Sequence, residues 1–315
     1  MLNNKINDVL DEVEKVIKGK RDIIEKVMMT ICASGHILLE DNPGSGKTTM
    51  AKAFSKAIGL DFKRLQFTPD TMPSDITGYY YMDKEKKKME YMPGAVQCNM
   101  LLGDEINRTS AKTQSALLEP MEEGTVTLEG TTKPLPKPFI LIATQNPITS
   151  LGTQPLPDSQ CDRFMVKLTM GYPSISDEVS ILMNTSVDDI TDRLSVKMSA
   201  KELMEIREFI DKKMHCDEAV IDYICRLCDE TRRNDLIEVG VSTRGSVALK
   251  RMASANAYFK GRDYITPEDV YAVFLDVCNH RIILSPEARM DDESEISVLT
   301  DILDNKVKAP EVSKK

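Results

Sequence analysis

Two short stretches carry side chains that could do chemistry together. The first is Asp41-Asn42-Pro43-Gly44-Ser45-Gly46-Lys47-Thr48-Thr49. Small residues let backbone N–H groups turn toward an anion, and a helix starting here adds positive potential. Lys47 can reach the β- and γ-phosphates of a nucleotide, and the Thr48 hydroxyl can help hold Mg²⁺. The pattern GxxxxGK[ST] asks for glycine where this chain has Asp41. Aspartate tolerates a left-handed backbone better than most residues, but its carboxylate must point away from a bound phosphate. The second stretch, Met100-Leu101-Leu102-Gly103-Asp104-Glu105, ends an apolar run in adjacent carboxylates. Asp104 would support Mg²⁺ through its water shell, and Glu105 would polarise an attacking water. Alone, the pair could equally cap the next helix; beside a phosphate loop it reads as the other half of a triphosphate site.

These residues need a buried sheet to bring them together. His36–Glu40 is a short apolar run before the loop, and Thr48–Ile58 reads as a helix after it. Strand-like runs follow at Lys63–Phe67, Asn99–Gly103, Phe139–Thr144 and Phe164–Leu168, with helical sequence over Ala111–Glu122. The alternation predicts a parallel sheet covered by helices, an α/β fold. Tyr79–Met82 and Met89–Met92 predict a hairpin with a lysine-rich, solvated tip. Thr125–Leu128 predicts another, turning at Glu129-Gly130. Two helices, broken at Gly19, are expected before residue 34. Past Gly171-Tyr172-Pro173 the strand signals stop and helices are expected near 175–184, 199–214, 216–231, 245–260 and 267–279, the last opening on Thr266-Pro267. The expected division is a nucleotide-binding core over 1–172, a helical domain over 173–305 and a polar tail over 306–315.

The order of motifs resembles the MoxR family of AAA+ ATPases. Asp104-Glu105-Ile106-Asn107-Arg108, Lys112–Glu119, Gln66–Asp70, Pro73–Gly78, Ala143–Pro147, Asp162-Arg163-Phe164, Gly171-Tyr172-Pro173 and Thr243-Arg244 all carry it, over roughly residues 5 to 300. The resemblance implies a five-stranded AAA+ core with helix-2 and presensor-1 hairpins, an all-α lid, and ATP with Mg²⁺ as ligands. It implies sensor 1 at Asn146, an arginine finger at Arg163 acting on a neighbouring subunit, and sensor 2 at Arg244 reaching the γ-phosphate of its own chain. Spacing alone leaves Arg163 readable as a surface ion pair and Asn146 as a turn residue. Arg108 could act across an interface or pair with Glu119 or Glu122. The resemblance also implies a homo-hexameric ring that remodels or matures partner proteins, with a VWA-domain protein as partner. A nucleic-acid motor or loader and a metal-chelatase subunit are the competing readings.

Bulk properties bound these readings. The chain has 315 residues and a net charge of −9, which disfavours a phosphate-backbone grip as its main task, so no nucleic-acid partner is expected. The first residues lack the apolar core of a signal peptide, and apolar runs such as Phe139–Ala143 are too short to cross a bilayer. A cytoplasmic protein without membrane insertion is expected. Seven scattered cysteines fit reduced thiols. Cys225 and Cys228 form a CxxC, but helical spacing and the lack of a second ligand pair favour packing over zinc.

Overall fold

The computed structural model describes residues 2–41, 44–146, 155–183 and 191–311. The expected tail and the helix near 175–184 each run partly outside these residues. Helices α1 (Leu2–Glu14) and α2 (Arg21–Cys32) lead into β1 (Ile37–Glu40), followed by α3 (Lys47–Ala57) and β2 (Phe62–Gln66). A short helix α4 (Pro73–Thr77) precedes the first hairpin, β3 (Gly78–Asp83) and β4 (Lys88–Pro93). Next come β5 (Met100–Asp104), α5 (Ala111–Ser115), α6 (Leu118–Glu123) and the second hairpin, β6 (Thr125–Leu128) with β7 (Thr131–Pro134). Strand β8 (Ile140–Gln145), α7 (Asp158–Cys161) and β9 (Val166–Leu168) complete the core.

The five long-range strands pair in the order β2-β5-β8-β1-β9, and every pairing is parallel. Their alternation explains why they read as unbroken apolar runs. Leu38, Leu101, Leu141 and Ala143 pack on one side with Phe67 and Val126, while Leu39, Leu102 and Ile142 pack on the other with Met28 and Phe54. Leu102 is fully buried, so truncation to alanine would cost about 2–5 kcal/mol. All five strands run the same way, so their C-terminal ends form one rim, where ligands bind in open α/β sheets.

Sequence and structure differ over Ala111–Glu122, which is two helices rather than one. Pro120 explains the break: in a continuous helix its ring would clash with the carbonyl of Ala116, whereas in the first turn of α6 it is tolerated. The two hairpins touch, with Lys133 of β7 lying 4.8 Å from the ring centre of Tyr91. In the lysine-rich tip, Lys86 pairs with Glu90 at 2.8 Å.

Beyond β9 the chain is helical, with α8 (Ile175–Met183) and longer helices at Ala200–Lys212, Glu218–Arg233, Thr243–Phe259 and Pro267–Cys278. The last begins as expected, with Thr266 as N-cap and Pro267 inside the first turn. This lid also holds a two-stranded antiparallel pair, Ile237–Val239 with Ile283–Leu284, too short to leave a periodic signal. One buried cluster runs from α1 and α2 through the sheet into the lid helices. Arg207 of the lid, for example, donates through Nε to the Ile31 carbonyl at 2.9 Å, closing the end of α2.

Candidate active site

The phosphate-loop residues surround the end of β1. Gly44 and Gly46 take φ of 89° and 90°, which only glycine adopts without strain, and nothing lies within 4 Å of a Cβ placed on Gly44. That leaves the backbone open to a ligand. The start of α3 at Lys47 turns backbone N–H groups into the same space. Ser45 Oγ is buried with no hydrogen-bond partner among the described residues, as a group awaiting a ligand would be. Lys47 is buried, and its Nζ donates to the Asp41 carbonyl at 2.7 Å. Burial pushes its pKa down, while Asp41, Asp104 and Glu105 push it back up. Asp41 does not need the left-handed backbone considered for it: it is not among the residues with positive φ. Its Oδ2 accepts from the Gly171 N–H at 2.7 Å, and it does not line the cleft. Asn42 and Pro43, also expected in the loop, lie outside the described residues.

Gly44, Ser45, Gly46, Lys47, Thr48 and Thr49 line one cleft with Asp104, Glu105 and Asn146, of about 320 Å³. Parallel pairing of β5 with β8 brings the two carboxylates beside Asn146, 41 residues from Glu105 in sequence. Thr144, fully buried, ties the acids together: its hydroxyl donates to Asp104 Oδ1 at 2.6 Å and accepts from the Glu105 N–H at 2.9 Å. Glu105 itself takes φ 57° and ψ 49°, a left-handed conformation unusual for a non-glycine residue and typical of functional positions. Its Oε1 accepts from Asn146 Nδ2 at 3.0 Å, and its Oε2 pairs with Arg108 at 3.0 Å. Asn107 holds Asn146 in turn, donating to its carbonyl at 2.9 Å. The groups can thus bind a polyanion, hold a cation and orient a water, which fits Mg²⁺ and a nucleotide triphosphate.

Arg108 departs from one expectation. It pairs with Glu105, not with Glu119 or Glu122. Glu119 accepts from the Thr125 and Thr127 hydroxyls, and Glu122 from arginines elsewhere. Arg64 was not foreseen at all. From β2 it reaches Asp104 Oδ2 through Nη2 at 2.6 Å and Nε at 3.2 Å. The pairing of Gln66 with Asp104 sets this register, and without it nothing in the sequence joins Arg64 to the site.

Arg163 and Arg244 lie elsewhere. Both line a second cleft with Gly35, His36 and Met165, residues that precede β1 and β9 and therefore mark the N-terminal end of the sheet. Glu122 Oε1 pairs with Arg163 Nε at 3.1 Å and with Arg244 Nη2 at 2.6 Å, and Asp162 also holds Arg244, at 3.3 Å. Arg244, expected at the phosphates of its own chain, thus lies at this rim beside Arg163. The lid helix Thr243–Phe259 docks at the opposite rim, against α2 and Asp162.

Among the described residues no cluster of His, Cys, Asp or Glu forms a metal site, and Cys228 is buried in its helix while Cys225 is exposed. No helix among the described residues is long and apolar enough to cross a membrane. Residues 36–166 match the ATPase family associated with various cellular activities (AAA), and residues 229–302 match the AAA lid domain. The chain is similar to YeaC of Bacillus subtilis, 40% identical over 98% of this chain and 96% of that protein. It is 37% identical to chaperone MoxR1 of Mycobacterium tuberculosis, over 96% of this chain and 81% of the relative. A crystal structure from Cytophaga hutchinsonii superposes with a TM-score of 0.90 at 40% identity, covering 98% of this chain and 96% of that one. With the parallel sheet, the phosphate loop and the helical lid in one chain, these likenesses settle its family: it belongs to the MoxR-type AAA+ ATPases.

Proposed function

We propose that the chain hydrolyses ATP with Mg²⁺ at the cleft beside Lys47, and that it works as a cytoplasmic homo-hexameric ring that remodels or matures a partner protein. The division of the machinery supports this most. Lys47, Thr48, Asp104, Glu105 and Asn146 converge at one rim of the sheet, and Arg163 and Arg244 at the other. From His36 to Asp41 the chain spans roughly 16 Å at about 3.3 Å per residue, beyond the reach of an arginine side chain. A site using both sets needs two chains joined head to tail, and such contacts close into a ring where the rotation between chains closes.

In this reading Lys47 and the N-terminus of α3 would bind the triphosphate, and Thr48 and Asp104 would hold the metal. A magnesium ion held there would supply charge to offset that of the triphosphate. Glu105 takes a proton from the attacking water, which Asn146 helps to orient. Arg163 and Arg244 of the neighbouring chain stabilise the charge that develops in the transition state. Each arginine must first exchange Glu122 for the neighbour's phosphates. The core over 1–172 and the lid over 173–305 would move against each other as this exchange proceeds, with 306–315 as a tail.

A protein client fits the first hairpin, which exposes Tyr79, Tyr81, Met82, Met89 and Met92. Methionine-rich surfaces adapt to varied partners. The family resemblance points to a VWA-domain protein. Trapping the Glu105→Gln chain with ATP and identifying co-purifying proteins tests this. A VWA-domain protein is the expected result. Hydrolysis stimulated by DNA, with steep salt dependence, would instead favour a nucleic-acid motor.

A further inference from the structure

The loop that carries Arg163 is held mainly by the lid. Three consecutive residues after the helix Pro267–Cys278 reach back to it. Asn279 Nδ2 donates to the Lys167 carbonyl at 3.1 Å, and His280 Nε2 lies 2.9 Å from the Phe164 carbonyl. Arg281 makes the densest set. Its Nη2 donates to the carbonyls of Asp162 at 3.0 Å and Phe164 at 2.6 Å, and its Nη1 to that of Met165 at 3.1 Å. Its Nε donates to Asp162 Oδ1 at 2.9 Å. The Arg281 side chain is 1% exposed. A planar fork that spans several acceptors at once is a task lysine cannot reproduce.

The same Asp162 carboxylate accepts from Ser242 Oγ at 2.9 Å and from Arg244 at 3.3 Å. Residues on both sides of Arg163 therefore meet at one guanidinium, and Arg244 joins them through the Asp162 carboxylate. Gly245, in the first turn of Thr243–Phe259, makes room for it. A Cβ there would stand 2.8 Å from Arg281 Cδ and 2.5 Å from Val241 Cγ1.

We infer that Arg281 is a positioning residue for ATP hydrolysis, clamping residues 162–165 to the lid so that Arg163 and Arg244 are presented as one rigid unit to the neighbouring chain's nucleotide. The inference rests on the two-chain site proposed above. Arg281 touches neither the phosphate-loop cleft nor its lining. Its loss therefore impairs the neighbour's site and leaves its own intact.

Trans-complementation in the full-length chain tests this, using Arg281→Lys and, because removing a buried guanidinium also costs stability, the milder Gly245→Ala. Both variants are expected to keep a cooperative melt and wild-type affinity for a fluorescent ATP analogue, with turnover down at least about tenfold. Mixed in equal amounts with Glu105→Gln, which lacks the acid but keeps its arginines, each should recover roughly a quarter of wild-type turnover, the share of head-to-tail interfaces pairing an intact acid with an intact clamp. The control is Arg163→Ala mixed with Glu105→Gln. If the control recovers and both clamp variants do not, their lesion lies in their own site or fold and the inference is wrong. Undiminished turnover in both variants overturns it equally. A control that fails to recover brings down the two-chain site itself, a result separable from the first two.

Discussion

Asn146 donates its side-chain amide to Glu105 Oε1 across 3.0 Å, joining the residue after β8 to the acid after β5. Arg108 occupies the other carboxylate oxygen at the same distance. The acid is therefore oriented before any ligand arrives, and it sits on a left-handed backbone that needs its neighbours to hold it.

Replacing Glu105 by glutamine keeps the shape and the amide contact while removing the proton acceptor. Turnover is expected to fall by about 10²–10⁴ with nucleotide affinity retained. Steady-state hydrolysis beside an equilibrium titration checks both halves, and normal turnover would mean that another group is the base.

Thr144→Val removes a hydroxyl at nearly constant volume. Asp104 Oδ1 loses its donor and the Glu105 N–H its acceptor, both in a buried setting. A stability loss of about 1–3 kcal/mol is expected in denaturant unfolding, with lower turnover alongside. An unchanged midpoint would show that water substitutes for the hydroxyl.

The Arg108–Glu105 pair is partly exposed, with the arginine side chain at 44%. A double-mutant cycle of Arg108→Ala with Glu105→Gln should give a coupling of about 0.2–1 kcal/mol, and the same cycle with Glu119→Gln should give none. The reverse ranking would place Arg108 against Glu119 in solution.

His36 makes stability depend on pH. Its Nδ1 accepts from the Leu141 N–H, which fixes the proton on Nε2, the donor to the Met121 carbonyl. Burial pushes its pKa from 6.5 down to about 4. The unfolded chain takes up a proton near pH 6.5 that the folded chain refuses until about pH 4, so stability falls as pH drops through that window and levels off below it. The interval is worth ~3 kcal/mol at most. His280, which desolvation also holds well below its ordinary value, acts with the same sign. Melting temperatures should fall across this window in wild type and fall less in His36→Gln. Parallel curves would assign the acid lability to other groups.

Much of this was legible in the sequence because apolar runs ending in chemistry-bearing residues are what parallel strands look like from one dimension. The run Met100–Asp104 and the run Ile140–Gln145 fix the rim on which Glu105 and Asn146 meet. What stayed hidden depends on lateral register and on how the lid docks. Arg64 reaches Asp104 only because Gln66 pairs with that residue, and neighbouring strands leave no mark of their register in a single chain. Arg244 could not be placed from its position in a first helical turn, because the turn itself docks at the far rim. Pro120 was readable in principle, since a proline nine positions into an expected helix forces the break seen before α6.

The most direct measurement is turnover per chain against chain concentration, wild type beside Arg163→Ala. Completion of each site by a neighbour predicts equally low rates in dilute, unassembled chains, a wild-type rate that rises with assembly, and a variant lower by about 10³–10⁵ once assembled despite equal nucleotide affinity. Equal turnover per chain in the two proteins at concentrations where both are assembled would contradict the account.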